Sequence, residues 1–250
     1  MQPILSLIDT SVVGISKTST VAELAALGPG IAWIDSTSYL FQFMGIATTN
    51  LYANSLSEGN EEKSNKVLSH SLFTSVLFGI SLLLIQFVAS KKAITSLSGT
   101  AIESIPYGIL YAKIRSIAAP FALPTIVGQS AFLAAKDSIT PLKAVIVGAL
   151  VNLIGDVILV TYFNMGLKGA AIATTLSQIS GALYLLYVVI NDIKDKHKSK
   201  WFDVLKNKIN IPNYEEMMKF LSFCGPIFSI LLIKSFLWTY TTFACAAAGK

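Results

Sequence analysis

Residues 71–90 read SLFTSVLFGISLLLIQFVAS, a run without a single acidic or basic side chain. A helix of about twenty apolar residues crosses the hydrocarbon core of a bilayer, which is about 30 Å thick, and satisfies its backbone polar groups within the helix. The nearest charged residues are Lys66 before the run and Lys91 after it. The sequence therefore predicts a transmembrane helix over residues 67–90.

The composition extends this prediction to the whole chain. Of the 250 residues, 53% are hydrophobic and 13% are charged, and the mean hydropathy is +0.63; soluble domains carry about 25% charged residues. Apolar runs recur from end to end, so we predict an all-α membrane protein. The runs cover roughly residues 1–16, 23–56, 67–90, 105–135, 141–163, 168–191 and 214–249. Pro106, Pro120 and Pro124 predict a kink in the fourth run, which a membrane helix tolerates.

Other classes of protein are excluded by the motifs and spacings. The lysines crowd into loops without the interleaved aromatic residues of a nucleic-acid surface. The catalytic motifs GxSxG, HExxH and GxxxxGKS/T are absent from the sequence, so neither an enzyme nor a cofactor is predicted. Cys224 and Cys245 lack the CxxC or histidine spacing of a metal site, and we predict that both pack helices.

The lysines predict the orientation, because loops on the side from which a chain inserts carry the Lys and Arg excess. Ten of the loop lysines fall on one side of the predicted membrane and four on the other, so the first is predicted to be the cis side, cytosolic or stromal. The cis set is Lys63, Lys66, Lys136, Lys143, Lys194, Lys196, Lys198, Lys200, Lys206 and Lys208, and the trans set is Lys17, Lys91, Lys92 and Lys168.

The polar stretch 192–213, DIKDKHKSKWFDVLKNKINIPN, divides the chain. It is either a linker between helical bundles that partly lies on the membrane surface or a plain solvated loop. The sequence PILSLI at residues 3–8 is similar to PIFSIL at residues 226–231. The similarity arises either by chance or because the protein consists of two repeated helical halves, as many transporters do. We predict an amino-terminal six-helix lobe at 1–191, a cis-side linker, and the first helix of a second lobe at 214–250. The short first run and the lack of a signal or transit segment predict a fragment of a longer protein.

Ionisable residues at membrane depth are costly and commonly face a cavity or a partner. The apolar runs contain six that stand out: Asp9, Asp35, Lys113, Arg115, Asp156 and Lys234. Lys113 and Arg115 are close enough to a helix end to extend to the interface, and Lys234 is expected to pair with an acid. Asp35 is equally consistent with helix packing and with a site.

The residues VNLIGD at 151–156 place Asn152 and Asp156 one turn apart on one helix face. Small residues share that face and branched residues form the other, so the polar face is predicted to point inward. Polar stripes on two other helices are predicted to line a cavity with it. They are Asp35, Ser38, Gln42, Gly45 and Thr49 in the second run, and Ala170, Thr174, Ser177, Gln178 and Gly181 in the sixth.

Two interpretations of Asn152 and Asp156 stay open. A hydrogen bond between helices would fix packing only. Alternatively, a carboxyl group in a poorly solvated cavity gives up its proton less readily than in water, so it can bind and release a proton near neutral pH and couple a gradient to movement. Asp9 shares this role if the first and fifth helices pack together.

Five motifs occur in an order that resembles the MATE (multidrug and toxic compound extrusion) transporters. They are LSLIDTSVVG from Leu5, VAELAALGPG from Val21, GQSAFLAAKDSITPLKA from Gly128, VNLIGD from Val151 and GLKGAAIATTLSQ from Gly166. Within that family the chain looks closest to the plant plastid-envelope branch that includes the salicylate-pathway exporter.

The resemblance implies twelve helices in two six-helix lobes that rock between inward and outward states and exchange H⁺ or Na⁺ for an organic solute. It also implies a cation site in the amino-terminal lobe, to which Asp9, Asn152, Asp156 and Thr174 correspond. It further implies that no cofactor is used and that the plastid envelope is the location. The chain would then be an antiporter for efflux of small organic solutes, xenobiotics among them, without the carboxy-terminal lobe of the same polypeptide. Two alternatives stay open: a non-transporting membrane scaffold or receptor, which the truncation favours, and a flippase for lipid-linked substrates, which would have a more basic cavity.

Overall fold

The computed structural model describes residues 10–14, 20–99, 101–192, 218, 222, 224–234 and 237. Its elements are helical, and no strand occurs among these residues. Helix α1 covers residues 10–14, followed by α2 (Val21–Leu40), α3 (Phe43–Ser57), α4 (Glu61–Leu97), α5 (Ile105–Ser116), α6 (Ala119–Ala134), α7 (Ile139–Asp156), α8 (Gly166–Asp192) and α9 (Cys224–Lys234). A short 3-10 helix, Ile102–Ser104, precedes α5, and a π-helical segment, Val157–Tyr162, continues α7.

Three helices within the described part of the chain are long and apolar enough to cross a membrane. They are α4 over Glu62–Leu97, α7 with its π segment over Ile139–Tyr162, and α8 over Gly166–Val188. Helices α5 and α6 together form a fourth candidate, bent by 51° at a break just before Pro120. The predicted all-α membrane protein and the predicted kink in the fourth run are confirmed.

The prediction of one continuous helix over residues 23–56 is wrong. Helices α2 and α3 are separated by a turn at Phe41 and Gln42. On a continuous helix Phe41 and Phe43 would point in nearly opposite directions. In the turn both rings contact Phe78 of α4, with ring centroids 5.7 and 6.3 Å apart. Packing against α4 therefore favours the break over an unbroken helix.

Two apolar clusters lie at the two ends of the bundle, which we name the cis end and the trans end after the sides predicted from the lysines. The cis-end cluster joins α3, α4, α6, α7 and α8 through Tyr52, Leu68, Ala131, Phe132, Ala144 and Leu185. The trans-end cluster joins α1, α2, α5, the π segment and α8 through Val13, Ala26, Leu27, Tyr111, Val160, Leu167, Ala170 and Ala171. The start of α4 and the α6–α7 turn therefore meet at one end, as the alternating lysine pattern predicts.

Helix α9 packs on a third cluster, which is formed mainly by α3, α4 and α6. The ring of Phe228 meets the ring of Phe43 edge to face at 5.5 Å. Cys224 is buried in this contact, as predicted for a helix-packing residue. Cys245 and residues 193–213 of the predicted linker lie outside the described residues.

A short turn at the cis end joins α6 to α7. Helix α6 ends with Lys136 in the left-handed region, at φ 64°, and with the Asp137 N–H donating to the Phe132 carbonyl at 2.9 Å. Asp137 then caps the start of α7, because its Oδ1 accepts from the N–H groups of Ile139 and Thr140 at 3.0 and 3.1 Å. The Thr140 hydroxyl donates to Oδ2 at 2.6 Å. One carboxylate thus holds the beginning of the helix that carries Asn152 and Asp156.

Replacing Asp137 by Ala is expected to destabilise the protein by about 1 kcal/mol at neutral pH, because α7 loses its capping acceptor. Partial burial tends to raise the pKa of Asp137. Hydrogen bonds from Thr140 and Ile139 and the charge of Lys143 together outweigh this effect and hold the pKa below its ordinary value of 3.8. The stabilisation is therefore complete above about pH 4 and is lost as the pH falls through the lowered pKa. Thermal unfolding in detergent at neutral pH and at about pH 3 measures both effects.

Asp137→Asn is the matched control, since an amide oxygen can still accept from the α7 N–H groups. It should keep most of the stability at neutral pH and show a weaker acid-induced loss than the wild type. Equal stability of wild type and Asp137→Ala at neutral pH would show that this carboxylate does not hold the start of α7.

Candidate functional site

The inward face of α7 carries the two polar residues that the sequence singles out. Asn152 and Asp156 are both completely buried, one helical turn apart. Gly148 continues the same buried face, whereas Ile154 and Ile158 on the other side are exposed. The predicted division of α7 into an inward polar face and an outward branched face is confirmed at these positions.

Helix α8 supplies a third polar residue to this place. The Thr174 side chain is buried, and its hydroxyl accepts a hydrogen bond from Asn152 Nδ2 at 3.3 Å and donates to the Ala170 carbonyl at 2.8 Å. Asp156 lies one turn along α7 from this bond. The structure therefore brings together three of the four residues that the resemblance implies for a cation site.

Glycines let α7 and α8 approach closely around these side chains. The Ser177 hydroxyl donates to the Gly148 carbonyl at 2.7 Å, and a β-carbon at Gly148 would lie 3.3 Å from the Ser177 backbone oxygen. A β-carbon at Gly155 would lie 2.9 Å from the β-carbon of Ala173. Small residues at such contacts allow two membrane helices to meet backbone to backbone. The polar pair on α7 is thus flanked by tight helix contacts.

Helix α7 changes into a π-helix directly after Asp156. Over Val157–Tyr162 the hydrogen bonds reach five residues back instead of four. The backbone of Leu159 packs against Gly169 of α8, where a β-carbon would lie 3.0 Å away. Segments of this kind are rare and frequently adjoin functional sites. The apolar run 141–163 does not predict it, because an extra residue in one turn leaves no trace in composition.

Asp9 lies outside the described residues, whereas α1 is described from the next residue onward. Val13 of α1 is completely buried in the trans-end cluster together with Val160 of the π segment and Ala170 of α8. Ala170 is also the residue whose carbonyl accepts from Thr174. Helix α1 therefore packs in one cluster with α8, which carries Thr174, and with the π segment that directly follows Asp156.

Two of the five other predicted cavity residues form hydrogen bonds between or within helices. Ser38 of α2 accepts a hydrogen bond from Gln86 of α4 at 3.2 Å. The Thr49 hydroxyl donates to the Gly45 carbonyl at 3.0 Å within α3. The remaining three are exposed or half-buried: Gln42, Asp35 and Gln178. Since the turn between α2 and α3 interrupts this stripe, the second run does not present one continuous polar face.

Gln86 is a buried polar residue outside the predicted set. Its Nε2 donates to the hydroxyls of Thr37 and Ser38 at 2.8 and 3.2 Å, and its backbone carbonyl accepts from Trp33 Nε1 at 3.3 Å. These bonds join α4 to α2. A lone amide inside the apolar run 67–90 is the signal that points to such a residue.

The predicted snorkelling of Arg115 to the interface is wrong. The side chain is buried, and Nη1 donates to the Tyr111 hydroxyl at 2.9 Å, one turn earlier on α5. This bond directs the guanidinium into the bundle. Lys113 is half-buried, with Nζ 4.9 Å from the centroid of the Phe87 ring. Lys234 is exposed, and its expected ion pair with an acid does not occur among the described residues.

Comparison with known proteins agrees with this architecture. The family model MatE matches residues 1–158. Protein DETOXIFICATION 47, chloroplastic, of Arabidopsis thaliana is 35% identical over 248 residues, which cover 99% of this chain and 43% of that protein.

Two solved structures show the same fold. One is described as a crystal structure of MATE in the bent conformation, with a TM-score of 0.78 and 23% identity over 90% of this chain and 48% of that chain. The other is described as the outward-facing conformation of a multidrug resistance MATE family transporter of the MOP superfamily, with a TM-score of 0.77 and 23% identity over 92% and 49%. The chain thus spans less than half the length of each of these relatives. Its match to the family model over more than half of its own length places this chain in the MatE family of membrane transporters.

Proposed function

We propose that the intact protein exports a small organic solute in exchange for a cation, H⁺ or Na⁺, by alternating between inward-open and outward-open states. The observation that carries this proposal is the burial of Asp156 beside Asn152 and Thr174 inside an apolar helical bundle. A carboxylate in such a place is costly unless a proton, a cation or a partner compensates it. Its compensation by an ion that is bound and released would link an ion gradient to the conformation of the bundle.

The three described side chains have the chemistry for such an ion. Asp156 provides a negative charge, and Asn152 and Thr174 provide neutral oxygen atoms of the kind that hard cations prefer. Because Asn152 Nδ2 donates to Thr174, the amide oxygen of Asn152 lies on the other side of its amide group. Family members work without a cofactor. We propose Asp9 as the fourth member of this site.

Ion occupancy would act on α1. Val13 of α1 packs with Val160 and Ala170, which lie one turn from Asp156 and Thr174 respectively. Neutralising the carboxylates changes which packing of α1 is favoured, and a ligand shifts a conformational equilibrium by its difference in affinity for the two states. We propose that this shift bends α1 and releases the solute.

The relatives' greater length supports a second lobe. We propose that residues 1–191 form the amino-terminal lobe, 192–213 the cis-side linker and 214–250 the first helix of a carboxy-terminal lobe, which would supply half of the central cavity. We also propose the plastid envelope as the location, since the relative DETOXIFICATION 47 is described as chloroplastic.

The test is solute efflux by the intact protein in sealed vesicles with an imposed H⁺ or Na⁺ gradient. We expect one of the two gradients to drive loss of a preloaded fluorescent organic dye or aromatic carboxylate, and an ionophore that collapses the gradient to stop it. Solute movement that neither gradient affects would exclude ion coupling. No movement of any solute in the panel would favour the non-transporting scaffold or receptor.

A further inference from the structure

The trans end of α4 marks a membrane boundary. Residues 67–90 contain no Lys, Arg, Asp or Glu, and as a helix they extend about 36 Å, slightly more than the hydrocarbon core of a bilayer. Lys91 and Lys92 follow directly and are exposed. Their ammonium groups therefore lie at the level where lipid headgroups begin.

A third lysine approaches this face of α4 from α5, about one helical turn nearer the bilayer centre than Lys91. Lys113 Nζ lies 4.9 Å from the centroid of the Phe87 ring, within the range of a cation–π contact. Lys91 follows Phe87 by one helical turn on the same face of α4. Lys113 thus contacts the Phe87 ring, Lys91 follows one turn along the same helix face, and Phe87 itself is 44% exposed.

These lysines have no acidic partner within the described ranges of the chain. Two ion pairs lie at the other end of α4, where Lys63 pairs with Glu58 at 2.7 Å and Lys66 with Glu62 at 3.0 Å. The acid of the adjoining 3-10 helix, Glu103, is exposed and makes no ion pair with a described residue. The trans end of the α4–α5 contact therefore carries uncompensated positive charge.

The surface below the lysines is apolar and open. Leu84 and Val88 of α4 are exposed by 56% and 77%, and Leu110 of α5 is exposed as well. Helices α4 and α5 pack against each other along this seam. A ligand bound here meets cations at the headgroup level and an apolar surface towards the bilayer centre.

We propose that Lys91, Lys113 and Phe87 form a binding site for an anionic phospholipid of the trans leaflet, with Lys92 at its rim. The ammonium groups bind the phosphate, and the acyl chains lie along Leu84 and Val88. A free anion would match the lysines only, whereas a lipid matches both the charge and the exposed apolar seam. Basic residues near a membrane surface each contribute about 1 kcal/mol to such binding.

Native mass spectrometry of the intact protein tests this, with phosphatidylglycerol and phosphatidylcholine added in turn to the micelles. We expect retention of phosphatidylglycerol in preference to phosphatidylcholine, and about a fivefold weaker retention for each of Lys91→Gln and Lys113→Gln. Lys113→Arg keeps the charge and should retain the lipid. Lys63→Gln, at the opposite end of α4, is the matched control and should bind as the wild type does.

Three results would overturn the proposal. The first is wild-type phosphatidylglycerol retention in a variant that combines Lys91→Gln and Lys113→Gln, and the second is an equal loss in Lys63→Gln. The third is competition by glycerol phosphate as effective as that by the intact lipid, which would indicate a site for a free anion. If both Gln variants unfold, Lys113→Arg with weakened retention would also count against it. Since retention requires no transport, the outcome is independent of the efflux assay.

Discussion

Replacing Asp156 by Asn in the intact protein is expected to reduce ion-driven efflux to the rate measured without a gradient. The two side chains have nearly the same shape, so the completely buried position stays filled and the α7–α8 contact is kept. The amide, however, neither takes up a proton nor supplies a negative charge to a cation. Because the proposed coupling depends on the negative charge of Asp156, the loss of ion-driven efflux should be complete and not partial. Efflux from vesicles, driven by whichever ion the wild type uses, measures it.

Asp137→Asn provides the matched control. It makes the same chemical change at the cis-end turn, where the side chain only has to accept hydrogen bonds from the start of α7. We expect its efflux to remain close to that of the wild type. Full ion-driven efflux by Asp156→Asn would exclude Asp156 as a coupling residue, and an equal loss in both variants would point to a general effect of lost carboxylates.

The second large effect is expected at Gly79, in the middle of α4. A β-carbon there would lie 2.8 Å from Pro120 Cα and 2.9 Å from the Ala119 carbonyl oxygen. Both atoms belong to the backbone at the bend between α5 and α6, so they cannot move aside as a flexible side chain could. Gly79→Ala must therefore push α4 away from α6, and we expect a destabilisation of about 1–3 kcal/mol.

Gly128→Ala is the control for this substitution, because a β-carbon at Gly128 in α6 would meet only the end of the Leu185 side chain, at an ordinary contact distance of 3.7 Å. There the greater helix propensity of Ala should leave stability unchanged or raise it slightly. Thermal unfolding of the two variants in the same detergent makes the comparison. Similar unfolding temperatures for both variants would show that α4 and α6 do not depend on this close approach.

Much of the fold could be predicted because membrane helices leave a simple pattern. The run 67–90 has no charges, and the three prolines of 105–135 lie within the two helices that meet at the bend, Pro106 in α5 and Pro120 and Pro124 in α6. The turn at Phe41 and Gln42 could not be predicted in the same way, because its cause is the contact of two rings with Phe78, far away in the sequence. Hydropathy along one segment contains no information about such a contact.

The candidate site was predictable to a similar extent. Asn152 and Asp156 were identifiable because four-residue spacing puts them on one helix face, and Thr174 followed from the family resemblance. Their partners depend on tertiary packing. The expectation for Arg115 was wrong for a local reason, because its partner Tyr111 lies one turn earlier on the same helix and is itself buried. Distance from a helix end suggested that Arg115 reaches the interface, whereas the Tyr111 hydroxyl holds it inside the bundle. The π segment after Asp156 likewise lies at a close approach between helices, of Leu159 to Gly169, which the sequence of α7 alone does not contain.

The most direct measurement of the central claim is infrared difference spectroscopy of the purified intact protein, switched between two pH values and between Na⁺ and K⁺ buffers. If Asp156 binds and releases the coupling ion, a carboxyl or carboxylate band should change with pH or with Na⁺. That band should disappear in Asp156→Asn and persist in Asp137→Asn. Ion-dependent difference spectra that are the same in wild type and Asp156→Asn, so that only the other carboxylates respond, would contradict ion binding at this buried carboxylate.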